Sequence, residues 1–408
     1  MKMTTKFMFL TVLATLGLTS NVFAKLPEYR EPELLARANI IDGFNLPAFT
    51  FLSNVSPAIN ARGDVTFKVL TYGGGNENKI WFKADEDKKG KIVFTAPDER
   101  FVTDPTINDF GLITLNTFDD GVTDGIIQLD TKNGKIIHAV RPVIESILHY
   151  TYSQTLLNGD VFFRATNEEN VRTYYFVAPT GEYKKVIEEG VSIFGSSSSY
   201  LFKPAINESM TMVFKRRLGN VGEWDDKNGD EIILLTKTDT GAYSPKVVAQ
   251  DKFIKKSSQF KSLTNSVALS SNNLVAFVGV LEDGTKAIFK YNNGEMKKLV
   301  DEKGEVSEIE MFSPKINSKG QVLFRAKNKE GKRSIFLADQ DELKMIVSEG
   351  SELPSDLGLA KILSNPNYPA FSGDVDFNDN GDIVFNAIII GAKWDQEWGS
   401  AVYKISPK

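Results

Sequence analysis

The sequence predicts an all-β protein, a seven-bladed β-propeller of four-stranded blades whose last blade is completed by the N-terminal strand. Three observations predict it. A strand–turn–strand pattern recurs seven times along the 408 residues. Two more strand-like runs follow every copy except the last, which has one. A further strand-like segment precedes the first copy.

The repeat reads Pro-x-Ile-Asn-x-x-Gly-x-Val-x-Phe. Its clearest copies run from Pro57 to Phe67 and from Pro314 to Phe324. Pro105 and Pro204 open two more, with Met210 in the glycine position of the latter. Weaker copies centre on Gly159, Asn273 and Gly381. From Gly63 to Gly381, over six steps, the mean spacing is about 53 residues, the size of a four-stranded blade.

Each part of the copy has a local reason. Pro-x-Ile-Asn reads as a short inner strand, A. Asn-x-x-Gly is turn chemistry, because Asn and Gly tolerate positive φ. Gly-x-Val-x-Phe alternates with period 2 and reads as strand B. Strand C is expected at 80–82, 125–129, 174–177, 232–235, 287–289, 334–337 and 401–403. Strand D is expected at 91–94, 135–137, 185–187, 246–248, 298–300 and 344–347. The last copy ends at Lys408 without a strand D. The segment 34–39 resembles 343–347 and is predicted to supply it, closing the ring and covering an open sheet edge.

Residues 1–24 read as a secretory signal peptide. Lys2 and Lys6 form a positive start, Phe7–Leu18 an apolar run too short to span a bilayer, and Val22-Phe23-Ala24 the cleavage pattern. Cleavage after Ala24 leaves 25–408 as a single propeller domain in the bacterial periplasm or the extracellular medium. No later run of eighteen apolar residues exists, so no membrane insertion is expected after cleavage. The chain has no cysteine, which removes disulfides and thiolate chemistry. A net charge of −5 and a pI near 5.4 argue against nucleic acid and anionic membranes as partners.

The strand–turn–strand motif resembles the WD-like repeat of TolB-type propellers. Asn60-Ala-Arg-Gly63 stands where that family has Ser-Pro-Asp-Gly. The resemblance covers the whole chain after residue 24 and implies a periplasmic protein-binding role.

Long D–A segments (190–203, 251–264 and 349–369) and two long B–C loops (218–229 and 390–400) place elaboration, and hence function, on the B–C/D–A face. The two B–C loops carry the candidate ligand-binding residues: Trp224, Asp225 and Asp226 in one, and Trp394, Asp395, Glu397 and Trp398 in the other. A tryptophan beside carboxylates suits a sugar, by ring stacking and hydroxyl acceptance, or a protein contact. Alternatively these tryptophans plug the ends of blades 4 and 7. Asp226, Asn228 and Asp230 form a weak calcium candidate, and the turn at Asp376–Gly381 starts like an EF-type loop but has Ala387 at its twelfth position. No catalytic residue, metal or cofactor is assigned. His138 and His149, on an outer strand and in the loop after it, have no motif partner. Ser196–Ser199 reads as a flexible tip and Lys215–Arg217 as a solvated strand edge. The expected function is non-enzymatic recognition of a protein or an envelope glycan. The alternative is a carbohydrate-active enzyme, a carboxylate-based hydrolase or lyase working at the central channel.

Overall fold

The computed structural model describes residues 25–408, apart from 73–77, 98–99, 120–121, 141–146, 224, 226–227 and 394–395, and apart from the side chains of 119, 122–124 and 138–140. The signal-peptide reading lies outside the described residues. Among the described residues there is no helix, and the strands form seven antiparallel sheets, a seven-bladed β-propeller.

Strands B, C and D are Val65–Thr71, Lys79–Lys83 and Lys91–Thr95 in blade 1, and Leu112–Asp119, Val122–Asp130 and Ile136–Val140 in blade 2. In blade 3 they are Val161–Asn167, Arg172–Val177 and Tyr183–Glu188, and in blade 4 Met212–Leu218, Asp230–Lys237 and Tyr243–Gln250. Blade 5 has Val275–Leu281, Lys286–Asn292 and Glu295–Asp301, and blade 6 has Val322–Asn328, Arg333–Asp339 and Glu342–Ser348. Blade 7 has Ile383–Gly391 and Glu397–Ile405 as B and C. Its strand D is Glu33–Ala38, antiparallel to Glu397–Ile405, as the sequence predicts. Arg37, fully buried in that strand, forks onto both oxygens of Asp356 at 2.8 Å and ties the closing strand to the loop before blade 7.

Strand A is longer than Pro-x-Ile-Asn. In blades 1, 2, 4 and 6 it is broken into two pieces: Thr50–Phe51 and Ala58–Ile59, Phe101–Val102 and Thr106–Ile107, Ser196–Leu201 and Ala205–Ile206, Val306–Ile309 and Lys315–Ile316. Each break holds the repeat's proline, which has no N–H to give the ladder. Blades 3, 5 and 7 lack that proline, and their strand A runs unbroken as Ile147–Thr155, Phe260–Leu269 and Phe371–Phe377, with two bulges in each of the first two and one in the third.

This upper half of strand A corrects several expectations. Ser196–Ser199 is strand, not a flexible tip, and Ser198 and Ser199 are buried. The segment 349–369 contains a hairpin, Glu352–Ser355 with Gly358–Ile362, added to strand B of blade 7. His149 lies on strand A of blade 3, exposed, and not in a loop. Lys215 and Arg216 are not a solvated edge. Lys215 Nζ lies 2.8 Å from Asp230 Oδ2 and Arg216 Nε 2.8 Å from Glu231 Oε1, all four side chains buried. Basic residues on a strand look solvated in sequence. Here the next strand in the blade supplies the acids: Glu231 directly opposite Arg216, and Asp230 opposite Arg217 and within reach of Lys215.

The core is a ring of seven apolar clusters, one at every junction between neighbouring blades. Both faces of each blade are therefore covered, which is why strand B is apolar almost throughout. The phenylalanine of the motif stacks on an aromatic of strand C in five blades, as in Phe67 on Trp81 at 4.5 Å and Phe324 on Phe336 at 5.6 Å.

Polar contacts between A–B turns close the same ring a second time. Asn378 Nδ2 donates to Asn60 O, Ala61 N to Asp109 Oδ1, and Asn108 Nδ2 to Leu156 O. Leu157 N donates to Glu208 Oε2, Asn207 Nδ2 to Ser270 O, Asn272 Nδ2 to Ser318 O, and Ser318 N to Asp379 Oδ1. All seven junctions carry such a bond.

Candidate functional site

Strand A of every blade faces the axis. The stretch just before each A–B turn therefore lines the central channel, on the D–A side of the turn collar. All seven blades contribute, through residues 56–59, 103–107, 151–154, 203–206, 267–269, 313–316, 374 and 376–377, and the cavity they enclose measures about 710 Å³.

The chemistry of this channel sits beside the repeat's constant positions. Asp104 and Lys203 immediately precede Pro105 and Pro204, and Lys315 fills the variable place of Pro-x-Ile. Blade 7 has Asp374 and Asp376 in the same two registers, and Lys68 comes from strand B of blade 1. The six charges form three pairs. Lys315 Nζ is 3.2 Å from Asp376 Oδ1, Lys203 Nζ 3.6 Å from Asp374 Oδ2, and Lys68 Nζ 3.7 Å from Asp104 Oδ1. Blades 4 and 7 are three steps apart in a ring of seven, so the Lys203–Asp374 pair spans the bore.

Burial acts on these groups in both directions. It pulls the Lys203 ammonium below its usual value despite Asp374, and pushes the Asp104 carboxyl above its usual value against Lys68. It also pulls on Lys315, but Asp376 and Asp374 together outweigh it and leave that ammonium raised. Asp376 is fixed by the backbone of blade 1, its Oδ2 accepting from Ile59 N at 2.9 Å. Tyr152 of blade 3 also lines the cavity. It holds φ at 60°, within the bulge between Thr151 and Gln154. The Arg164 guanidinium lies 4.7 Å from its ring centre and Lys203 Nζ 5.6 Å. Blade 5 offers only Val267, Ala268 and Leu269, an apolar wall.

The loop candidates are placed differently. Trp224, Asp226, Trp394 and Asp395 lie outside the described residues. Asp225 and Glu397 are exposed. Trp398 is half-buried, packs on the core between blades 6 and 7, and lies against Gly391. Asp230 is buried and its oxygens are engaged by Lys215 and Arg217, each at 2.8 Å. Asn228 Nδ2 donates to Glu223 Oε2 at 3.5 Å. Among the described residues no group of three or more His, Asp or Glu is arranged to hold a metal ion. In the Asp376–Gly381 turn, Asn378 Nδ2 serves Asn60 O and Asp382 Oδ2, so that amide belongs to the turn collar.

Lys68, Asp104, Tyr152, Lys203, Lys315, Asp374 and Asp376 were not candidates from sequence. A signal was available: once the seven copies are aligned, the positions before the proline and after it vary in charge while the frame stays constant.

A family of unknown function, DUF7453, matches residues 223–407, from the B–C loop of blade 4 to the end of blade 7. No curated protein matches the chain. Among solved structures it is similar to a puromycin-hydrolyzing peptidase of Mycobacterium tuberculosis, with a TM-score of 0.52 and 11% identity over 85% of this chain and 52% of that one. It is similar to the acylaminoacyl peptidase of Pyrococcus horikoshii, at 0.52 and 14% over 86% and 52%. The polysaccharide lyase Uly1 is similar at 0.51 and 9%, over 92% of this chain and 97% of that one. The chain spans about half the length of the peptidases it matches. At these identities the likeness is one of fold, and the class it defines is the β-propeller.

Proposed function

We propose that the chain is a secreted or periplasmic, non-enzymatic binding propeller whose ligand site is the central channel. One observation carries this reading: three lysines and three aspartates from five blades converge on a single cavity of about 710 Å³. Six partly exposed charges gathered on one cavity offer a ligand polar groups of both signs. The signal-peptide pattern of residues 1–24 supports the compartment. The repeat's resemblance to that of TolB-type propellers supports a binding role, with an envelope protein or glycan as the broad class of partner.

Convergence of Asp104, Asp374 and Asp376 favours a second reading, a carbohydrate-active enzyme. Against it, each carboxylate has a lysine within 4 Å. Such pairing suits recognition better than proton transfer.

The test is a thermal-shift and calorimetric screen of residues 25–408 against fractionated envelope extract and a glycan panel. The Lys315→Ala/Asp376→Ala double variant is compared with the Trp224/Trp394/Trp398→Ala triple variant. The expected hit disappears in the first and survives in the second. A hit with the opposite pattern moves the site to the B–C loops and overturns the channel reading. Turnover of a bound glycan replaces binding by catalysis.

A further inference from the structure

We infer that the ligand of the channel is a zwitterion, with a free ammonium and a free carboxylate carried on an apolar or aromatic body. The inference rests on the channel being a binding site, and it comes from groups there that remain incompletely satisfied.

The first is Asp104, on blade 2. Its Oδ1 is buried and accepts no hydrogen bond, and its lysine partner stands off at 3.7 Å. A buried carboxylate oxygen left in that condition is costly, and a donor that reaches it gains a charge-assisted bond. The second is Lys203, on blade 4. Its carboxylate partner lies across the bore at 3.6 Å, longer than the roughly 2.7–2.9 Å of a charged hydrogen bond. An anion entering from the channel can take this ammonium from Asp374 without breaking a good bond.

The third is Tyr152, on blade 3, between the other two. A bulky residue at φ 60° is strained and is held there only by its surroundings. The strain presents a residue that is 39% exposed, inside the cavity and with its ring beside Lys203. Three consecutive blades therefore offer an acid, an aromatic face and a base, and blade 5 adds the apolar wall of Val267, Ala268 and Leu269.

Charge balance selects the zwitterion over a singly charged ligand. The lining carries three lysines and three aspartates, and its net charge is zero. A lone anion or cation meets attraction and repulsion together among these partly exposed charges, whereas a zwitterion matches an acid and a base at once. Its ammonium pairs with the Asp104 carboxylate, its carboxylate accepts from Lys203, and its body lies on Tyr152. Free α-amino acids and short peptides with open termini share this chemistry.

The experiment is isothermal titration of residues 25–408 with L-phenylalanine, L-leucine and L-lysine, with Phe-Leu and Phe-Leu-Leu peptides, and with N-acetyl-L-phenylalanine and L-phenylalaninamide. Binding of an unmodified amino acid or peptide is expected, with at least a tenfold loss on blocking either terminus. The amino-acid and peptide arms tell the two sources apart. In Asp104→Asn the penalty for acetylation should vanish, and in Lys203→Gln the penalty for amidation. The comparison of blocked with unblocked ligand needs only the natural protein, so a variant that fails to fold does not remove the test. Equal binding of blocked and unblocked forms overturns the zwitterion. So does a neutral sugar or singly charged compound that binds in a Lys315- and Asp376-dependent way when no zwitterion does, and the channel reading then stands. If no compound or extract fraction binds in a manner sensitive to channel substitutions, both readings fall.

Discussion

At the residue scale, the glycine position of the repeat is a backbone requirement. All seven equivalents have positive φ: 89° at Gly63, 81° at Gly111, 88° at Gly159, 59° at Met210, 69° at Asn273, 83° at Gly320 and 100° at Gly381. The preceding Asn makes the turn. Asn60 Oδ1 accepts from Arg62 N and Asp64 N, and its amide reaches the next blade. Gly63→Ala should lower stability by ~1–2 kcal/mol, from the left-handed strain of an L-residue. An added Cβ would also stand 2.6 Å from Lys404 Nζ, which bonds Gly63 O and pairs with Asp85. Urea unfolding measures this, and an unchanged midpoint would show that the turn relaxes freely. Arg216 is a separate residue-scale case. Its guanidinium and the Glu231 carboxylate are almost wholly buried, with Gln250 and Ser198 completing their bonds. Arg216→Leu leaves Glu231 charged and unpaired, and should cost ~3–5 kcal/mol. Arg216→Leu/Glu231→Leu should recover most of that loss. A double variant as unstable as the single one would mean that shape, not charge, is what the pair supplies.

At the element scale, the strand that closes the ring is distant in sequence from its partner. Glu33–Ala38 covers the edge of Glu397–Ile405, and Leu35 and Ala36 enter the core between blades 7 and 1. A chain beginning at Asn39 should expose that edge and associate, eluting as dimer or larger in size-exclusion chromatography with a lowered unfolding midpoint. A monomer of unchanged stability would show that the collar of turns and the apolar clusters hold the ring without it. The closure was legible because a missing strand at one end and a surplus strand at the other are features of the pattern itself. Blade count and strands B to D were legible for the same reason: their alternation reflects burial on fixed faces. The upper half of strand A was not. Its residues, such as Ser196–Ser199 and Ile147–Thr151, have no clear period, since a bulge or proline shifts the register halfway. The channel residues were hidden by a related circumstance. A repeat draws attention to what stays constant, and Asp104, Lys203, Lys315, Asp374 and Asp376 stand where it varies.

At the scale of the whole molecule, buried carboxylates shape the response to pH. Burial raises Glu189, Glu208, Asp251 and Asp104 above their usual values of 4.5 or 3.8. Backbone N–H donors oppose this, as Leu201 and Arg172 do at Glu189, without overcoming it. Each of these groups takes up a proton in the native protein at a pH where the unfolded chain remains ionised. The native state then binds more protons, and stability rises as pH falls through the raised values. The stabilisation is full below the unfolded value and is lost as pH climbs past the native one. Carboxylates shifted the other way, Glu28, Glu223, Asp283, Asp301 and Glu308, owe this to hydrogen bonds with lysines or with Asn220 on exposed surface. Solvent and salt screen their contribution. Protonation also relieves a formal net charge of −5. The melting temperature in about 0.15 M salt should therefore hold or rise as pH falls from neutrality toward the ordinary carboxylate range, and Glu189→Gln should flatten any rise. Calorimetric scans across that interval decide the point. A steady fall in melting temperature over it would mean that the surface pairs outweigh the buried carboxylates, and that the interior of the propeller admits more water than its seven packed junctions suggest.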